Sequence, residues 1–262
     1  MNYTMTSRKT ITALQRISSG LAESCNALRF GTEAAAVYNP LQYASRPHNR
    51  YLELAGAAPK KVIFLGMNPG PWGMAQTGVP FGEVAAVRDW LGIEEDVEKP
   101  EHEHPRRPVE GFTCARSEVS GRRLWGLFRD RFGTPAEFFR EHFVANYCPL
   151  VFMGPSGANI TPDKLPVEEA APLFKICDRA LAELIKLLEP CWVIGVGGFA
   201  KKRIDKVRAE FFGGGNPRVS GPSHSSAAFS TAQILHPSPA SPRANAGWDR
   251  EVIKTLVELG IW

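Results

Sequence analysis

The chain is 262 residues long, 44% hydrophobic and 22% charged, with a formal net charge of +4 at pH 7. These values describe a globular protein with chain enough for one large core, and they permit a polyanionic partner without demanding one. No run reaches the ~20 apolar residues of a membrane span, and five cysteines without a CxxC pair argue against a disulfide framework, a zinc site or an iron–sulfur cluster.

In chain order, residues 1–45 read as a helical or looped N-terminal extension without an apolar leader. The remainder continues as one domain, so a single unit is expected over 1–262. Four apolar runs follow: "KVIFLG" (61–66), "HFVANYCPLVF" (142–152), "CWVIGVGG" (191–198) and "TAQILHPSP" (231–239). Each is rich in Val, Ile, Phe or Leu without clean alternation, as strands covered on both faces are. Between the first two lie a long glycine-rich loop, a charged, proline-broken excursion, "EEDVEKPEHEHPRRPVEG" (94–111), and the helical pattern "RRLWGLFRDRF" (122–132). His102 and His104 in that excursion, with Cys114 downstream, are better read as a solvated polar loop than as a metal site. "EEAAPLFKICDRALAELIKLLE" (168–189) repeats apolar residues at helical spacing, "GFAKKRIDKVRAEFF" (198–212) opens straight after a strand, and "AGWDREVIKTLVELG" (246–260) closes the chain. This alternation predicts an α/β fold: a parallel sheet with helices on both faces.

In open parallel sheets the ligand crevice lies at the carboxyl ends of the strands. Here those ends carry Met67-Asn68-Pro69-Gly70, Asn146-Tyr147-Cys148-Pro149, a glycine turn at Gly195–Gly198, and His236-Pro237-Ser238-Pro239. A lone Asn or His at a strand end is usually a turn residue. Three ends of four bearing an amide or an imidazole point to a shared crevice. The first end runs into "GMNPGPWGMAQTGVPFGEV" (66–84), which has five glycines and three prolines yet also Trp72, two methionines and Phe81. Ordinary loops are short and polar, so a long loop both tightly turned and apolar departs from the common pattern and calls for a reason.

That loop, together with "FVANYCPLVFM" and "HPSPASPRANAGWD" in the same order, closely resembles the single-strand-selective monofunctional uracil-DNA glycosylases. "EHPRRPVEGF", "SEVSGRRLWGLF", "PSGANITPDKLP" and "VIGVGGFAKKR" resemble them too, so the likeness spans roughly residues 45 to 260. It implies a three-layer α/β/α fold with a short, mainly parallel four-stranded central sheet. It also implies hydrolysis of the N-glycosidic bond of a uracil flipped out of DNA, leaving an abasic site.

The resemblance assigns roles residue by residue. Phe81 stacks on the extruded base. His236 donates to uracil O2 as negative charge develops, and Asn68 orients the attacking water where stronger members of the superfamily carry Asp. Asn146 faces N3–H and O4 together, a pattern that cytosine would mispair. Met67, Gly70 and Met74 belong to the base pocket, with Gly70 and Met74 on the 5-side of the ring. A water there, displaced by a 5-hydroxymethyl group but stranded by a thymine methyl, would extend the substrate range to 5-hydroxymethyluracil. Ser238, Pro239, Ala240 and Arg243 fall in the segment that wedges into the duplex. Family members often begin that wedge with Arg where this chain has Ala240, which leaves Arg243 as the substitute. Lys201, after the glycine turn, is either a phosphate contact or part of a solvated helix face. The motifs contain no lysine for a Schiff base, so strand nicking is not expected, nor is a cofactor or metal.

The expected partner is uracil-containing DNA, single- or double-stranded, bound by a monomer away from membranes. A bacterial cytoplasm is expected, or a nucleus if the source is eukaryotic. Two rivals remain: a uracil or single-strand recognition module with little turnover, prompted by the amide at Asn68, and an α/β hydrolase of free nucleosides. The stretch "GGGNPRVSGPSHSS" (213–226), with His224, reads as a loop, since no acid partner or elbow motif accompanies the histidine.

Overall fold

The computed structural model describes residues 2–31, 33–213 and 229–262. The chain opens with α1 (Asn2–Asn26), a short strand β1 (Ala36–Tyr38), and helices α2 (Pro40–Tyr43) and α3 (Ser45–Leu54). β2 (Val62–Gly66) leads into the glycine-rich loop, which holds the single turn α4 (Met74–Thr77) and a π-helical turn at Ala86–Trp90. After the charged excursion come α5 (Val119–Phe132), α6 (Pro135–Glu141), β3 (His142–Asn146), β4 (Val151–Met153) and β5 (Asn159–Ile160). α7 (Val167–Leu188), β6 (Trp192–Val196), α8 (Gly198–Phe212), β7 (Ser230–Ile234) and α9 (Pro242–Glu258) complete the order.

The central sheet has the order β3-β2-β6-β7, with every pairing parallel. All five residues of β2 are buried, which is why its sequence shows no alternation. Register places Gly66 opposite Asn146 and Val196 opposite Ile234, so the carboxyl ends of the four strands lie side by side. Helices flank the sheet. α7 buries Leu173, Cys177, Leu181, Ile185 and Leu188 along one stripe, and α5 buries Leu124, Trp125 and Phe128. Trp125 sits in an aromatic cluster with Tyr51, Phe128, Phe138 and Phe139.

Three features depart from the sequence reading. The run 142–152 is not one strand. Tyr147 and Cys148 extend the ladder by donating to the carbonyls of Gly66 and Met67 at 3.0 and 2.8 Å, and Pro149, lacking an N–H, cannot continue it. The chain then enters a second, antiparallel sheet of order β1-β4-β5. The N-terminal residues therefore supply a strand as well as helix. α1 lies against α7, with Leu14, Ala22 and Cys25 buried. The last helix begins earlier than its periodicity suggests and is kinked at Gly247 (φ 143°, ψ 66°). Residues 214–228, including His224, lie outside the described residues.

Two buried histidines tie this frame together. His48 donates from Nδ1 to the Gly78 carbonyl at 2.7 Å and accepts the Ser18 hydroxyl at Nε2, 2.9 Å away. His142 donates from Nδ1 to the Phe138 carbonyl at 3.2 Å, while its buried Nε2 has no partner among the described residues. Burial lowers each pKa to about 4. The unfolded chain protonates near 6.5 and the folded one does not, so stability is full above pH 6.5 and falls as pH drops toward 4. Each ring contributes a loss on the order of 2 kcal/mol by pH 5. Urea midpoints at pH 7 and 5 should differ accordingly, and His142→Phe, set among Phe64, Phe132 and Phe138, should reduce the difference. A midpoint indifferent to pH would refute this assignment.

Candidate active site

The side chains at the strand ends converge because glycines make room for them. A Cβ on Gly66, the last residue of β2, would collide with Asn146 Oδ1 and would come 2.7 Å from Cζ of Phe81. Asn146 donates from Nδ2 to Met74 Sδ at 3.3 Å, and its buried Oδ1 has no hydrogen-bond donor among the described residues. Phe81 is buried and has φ +53°, a conformation that costs a non-glycine residue about 1–3 kcal/mol. The surroundings enforce it: Trp125 Nε1 donates to the Pro80 carbonyl at 3.1 Å, Glu83 N donates to the Phe81 carbonyl at 2.8 Å, and Gly121 of α5 abuts that carbonyl.

His236 lies across from Phe81, with ring centroids 6.2 Å apart. Its backbone is held on three sides. Trp248 Nε1 donates to the Leu235 carbonyl at 2.6 Å. Gly197 (φ +94°) approaches so closely that a Cβ there would stand 3.2 Å from His236 Cβ. Arg123 of α5 donates to the carbonyls of Pro237 and Ser238 at 3.0 and 3.4 Å and to Asn245 Oδ1 at 2.9 Å. Asn245 in turn donates to the Pro239 carbonyl at 2.9 Å. Burial lowers the His236 pKa to about 4, so the ring is neutral at pH 7 and offers one N–H. Arg123→Met should leave the fold intact but slacken this segment, lowering the catalytic rate about tenfold with little change in melting temperature. An unchanged rate would sever Arg123 from His236.

Asn68 Nδ2 donates to the Leu150 carbonyl at 3.2 Å, which leaves Oδ1 to accept from water. Met67 spends its carbonyl on Cys148 N. Buried Gln76 organises the loop below Gly70 and Met74. Its Nε2 donates to the carbonyls of Pro71 and Pro108 at 2.9 and 3.1 Å, and its Oε1 accepts from the N–H groups of Glu110 and Gly111 at 2.7 and 3.1 Å. The charged excursion is thus fastened to the pocket loop. Both ring nitrogens of its His104 face backbone groups, the Pro155 carbonyl and Arg106 N. Behind the turn at Asn146, the Tyr147 hydroxyl donates to buried Asp178 at 2.7 Å, and Asp178 also pairs with Arg203 of α8. An apolar cavity of about 80 Å³ backs Met74 and Asn146 and is also lined by Leu14, Leu21, Tyr51 and Leu181. α1 therefore reaches the rear of the site.

The family model for the uracil DNA glycosylase superfamily matches residues 55–257 of this chain. The chain belongs to the uracil DNA glycosylase superfamily. It is 46% identical over 241 residues to a bovine (Bos taurus) single-strand selective monofunctional uracil DNA glycosylase, covering 92% of this chain and 84% of the relative. It is 48% identical over 234 residues to the rat (Rattus norvegicus) protein of that name, covering 89% and 79%. A crystal structure of Pedobacter heparinus SMUG2 superposes with a TM-score of 0.58 over 93% of this chain and 97% of the other, at 14% identity. That likeness is one of fold.

The basic groups around this superfamily site are arranged unequally. Lys201 pairs with Asp205 at 2.5 Å on α8, and Arg243 pairs with Glu251 at 2.8 Å on α9. Ser238 is half-buried, and Pro239 and Ala240 are exposed at the tip of the segment that Arg123 fastens. Beside the pocket loop, Arg107 and Arg116 each lie 4.9 Å from the centroid of the Trp72 ring. Arg107 is anchored to the Gly157 carbonyl at 2.8 Å. Sequence reasoning singled out Asn68, Asn146, Phe81 and His236. It passed over Gly66, Gln76, Arg116 and Arg123, although "SEVSGRRLWGLF" drew attention to the segment holding Arg123.

Proposed function

We propose that this chain excises uracil from DNA by hydrolysing the N-glycosidic bond and leaves an abasic site uncut. The observation that carries this reading is the meeting of Phe81, Asn146 and His236 at the carboxyl ends of the parallel strands. They offer a stacking face, a donor–acceptor amide and a neutral imidazole. A uracil stacked on Phe81 would present N3–H to the orphan Oδ1 of Asn146 and O4 to its Nδ2. O2 would then face His236. As the bond breaks, the leaving base carries negative charge on O2, where a preorganised donor is worth on the order of a hundred- to a thousandfold in rate. A neutral imidazole serves as such a donor. The sugar becomes oxocarbenium-like, and Asn68 Oδ1 orients the water that captures it. An amide cannot take a proton as a carboxylate would, so bond cleavage runs ahead of water attack. Uracil carrying a hydroxylated 5-substituent is the second proposed substrate. Base–aromatic stacking contributes roughly 1–3 kcal/mol to holding the flipped base. Arg116, whose guanidinium makes no hydrogen bond or ion pair among the described residues, is proposed as a backbone contact beside the pocket mouth, together with Ser238, Pro239, Ala240, Arg243 and Lys201.

The test uses an end-labelled oligonucleotide with one uracil, single- and double-stranded, developed with and without alkali, beside free deoxyuridine. Alkali-dependent cleavage of the oligonucleotide alone is expected. Cleavage without alkali would mean a lyase, and hydrolysis of deoxyuridine would mean a nucleosidase. Binding without turnover would mean a recognition module.

A further inference from the structure

The Asn146 amide is weakly tied. Its one hydrogen bond among the described residues runs to Met74 Sδ, a weak acceptor, and its Oδ1 has none. Its direction is therefore set mainly by the backbone at the end of β3. The next residue, Tyr147, turns to the opposite side of the ladder and is buried between α7 and α8. Its hydroxyl donates to Asp178 Oδ1 at 2.7 Å, with the Phe174 carbonyl at 3.1 Å. Asp178, on α7, is 3% exposed, and its other oxygen pairs with Arg203 of α8. Exposed Lys206 places Nζ 3.9 Å from that same oxygen. The Arg203 guanidinium lies 5.1 Å from the centroid of the Tyr147 ring and 4.5 Å from that of Phe174. Its Nε is buried without a hydrogen-bond partner among the described residues.

A buried ion pair is a poor stabiliser. Desolvating both charges offsets most of their attraction, and an apolar pair of similar volume often holds a fold as well or better. What Asp178 supplies, and an apolar side chain could not, is a fixed acceptor for the Tyr147 hydroxyl. Arg203 holds the carboxyl, the carboxyl holds the hydroxyl, and the ring holds the backbone that follows Asn146. The same network reaches the other wall of the site. Phe199, whose ring centroid lies 5.7 Å from that of Tyr147, belongs to the first turn of α8, directly after the Gly197 that abuts His236. We propose that Asp178 is a positioning residue for base recognition: through the Tyr147 hydroxyl it fixes the end of β3, and with it the direction in which Asn146 presents its amide. Under the reading of Asn146 given above, on which this inference rests, Oδ1 must face N3–H and Nδ2 must face O4. A loosened amide can turn its donor to where the acceptor belongs, which weakens the hold on uracil and suits cytosine better.

The test uses Asp178→Leu joined to Arg203→Met, which exchanges the ion pair for apolar volume, and Tyr147→Phe, alone and added to that pair. Melting temperature and single-turnover excision of uracil are measured first. Equilibrium affinity is then measured in a His236→Ala background for oligonucleotides that differ only in one uracil or cytosine, which reports on recognition even if the chain does not turn over. The Leu/Met variant should melt no lower than wild type, while its excision rate and its uracil-to-cytosine affinity ratio each fall about tenfold. Tyr147→Phe should cause the same losses alone and add none to the Leu/Met variant, because the bond is already gone. Asp178→Asn, which keeps an acceptor for the hydroxyl, should retain most of both. An unchanged rate and ratio in either folded variant would overturn the inference, as would an equal loss of affinity for both bases or an additive effect of Tyr147→Phe. If the Leu/Met variant does not fold, Tyr147→Phe decides alone. Absence of excision by wild type, with the affinity ratio still falling in the variants, would overturn the glycosylase reading and leave Asp178 positioning a base reader.

Discussion

His236→Ala is expected to slow single-turnover excision of uracil on the order of a hundred- to a thousandfold, with oligonucleotide affinity nearly unchanged. The reasoning is differential: the bond from His236 to O2 strengthens as the base becomes an anion, so its loss raises the barrier more than it weakens the ground state. The ring has no hydrogen bond to a described residue to lose, so the substitution should cost little stability. Its pKa near 4 adds a second signature. An ordinary histidine would protonate on descending through pH 6.5, whereas this one stays neutral until well below it. Wild-type excision should therefore show no His236 inflection at pH 6.5. A loss under tenfold in His236→Ala would remove the imidazole from the chemistry.

Gln76→Ala is expected to lower stability strongly. Four backbone groups, the carbonyls of Pro71 and Pro108 and the N–H groups of Glu110 and Gly111, lose their partner together. Each buried group left unsatisfied costs about 1–3 kcal/mol. The exposed flank of the excursion admits water to some of them, so the net loss should be on the order of 4 kcal/mol, or a melting temperature lower by ~10 °C. Gln76→Glu, which keeps the acceptor and loses both donors, should fall between. Calorimetry decides it: a loss below 1 kcal/mol would mean that the excursion is held from elsewhere. Tyr38, whose hydroxyl donates to the Arg107 carbonyl at 2.8 Å and accepts from His104 N at 2.6 Å, is another fastening of the excursion.

β2 and β6 were legible because strands buried on both faces read as unbroken apolar runs, whereas the edge strand β7 is mostly only half-buried; α7 was legible because its stripe recurs at helical spacing. The strand ends gave Asn68, Asn146 and His236, since parallel order alone places them together. What composition and period could not show was long-range. Arg123 meets the carbonyls of Pro237 and Ser238 more than a hundred positions away, and no local pattern marks such a bond. The run at 142–152 looks continuous because both sheets bury their strands. Only Pro149 hinted that the ladder stops there.

The crowded glycines also mean that the site can be mapped without any ligand. At Gly66, Gly121 and Gly197 an added methyl would run into Asn146, the Phe81 backbone or His236. At Gly20 and Gly126, on α1 and α5, it would meet nothing within 4 Å, and alanine there should raise stability by about 0.5–1 kcal/mol. Glycine-to-alanine variants at these five positions, sorted for survival, would therefore divide into open helical positions that gain and positions around the pocket that fail. The failures would trace the outline of the base that the protein was shaped to hold.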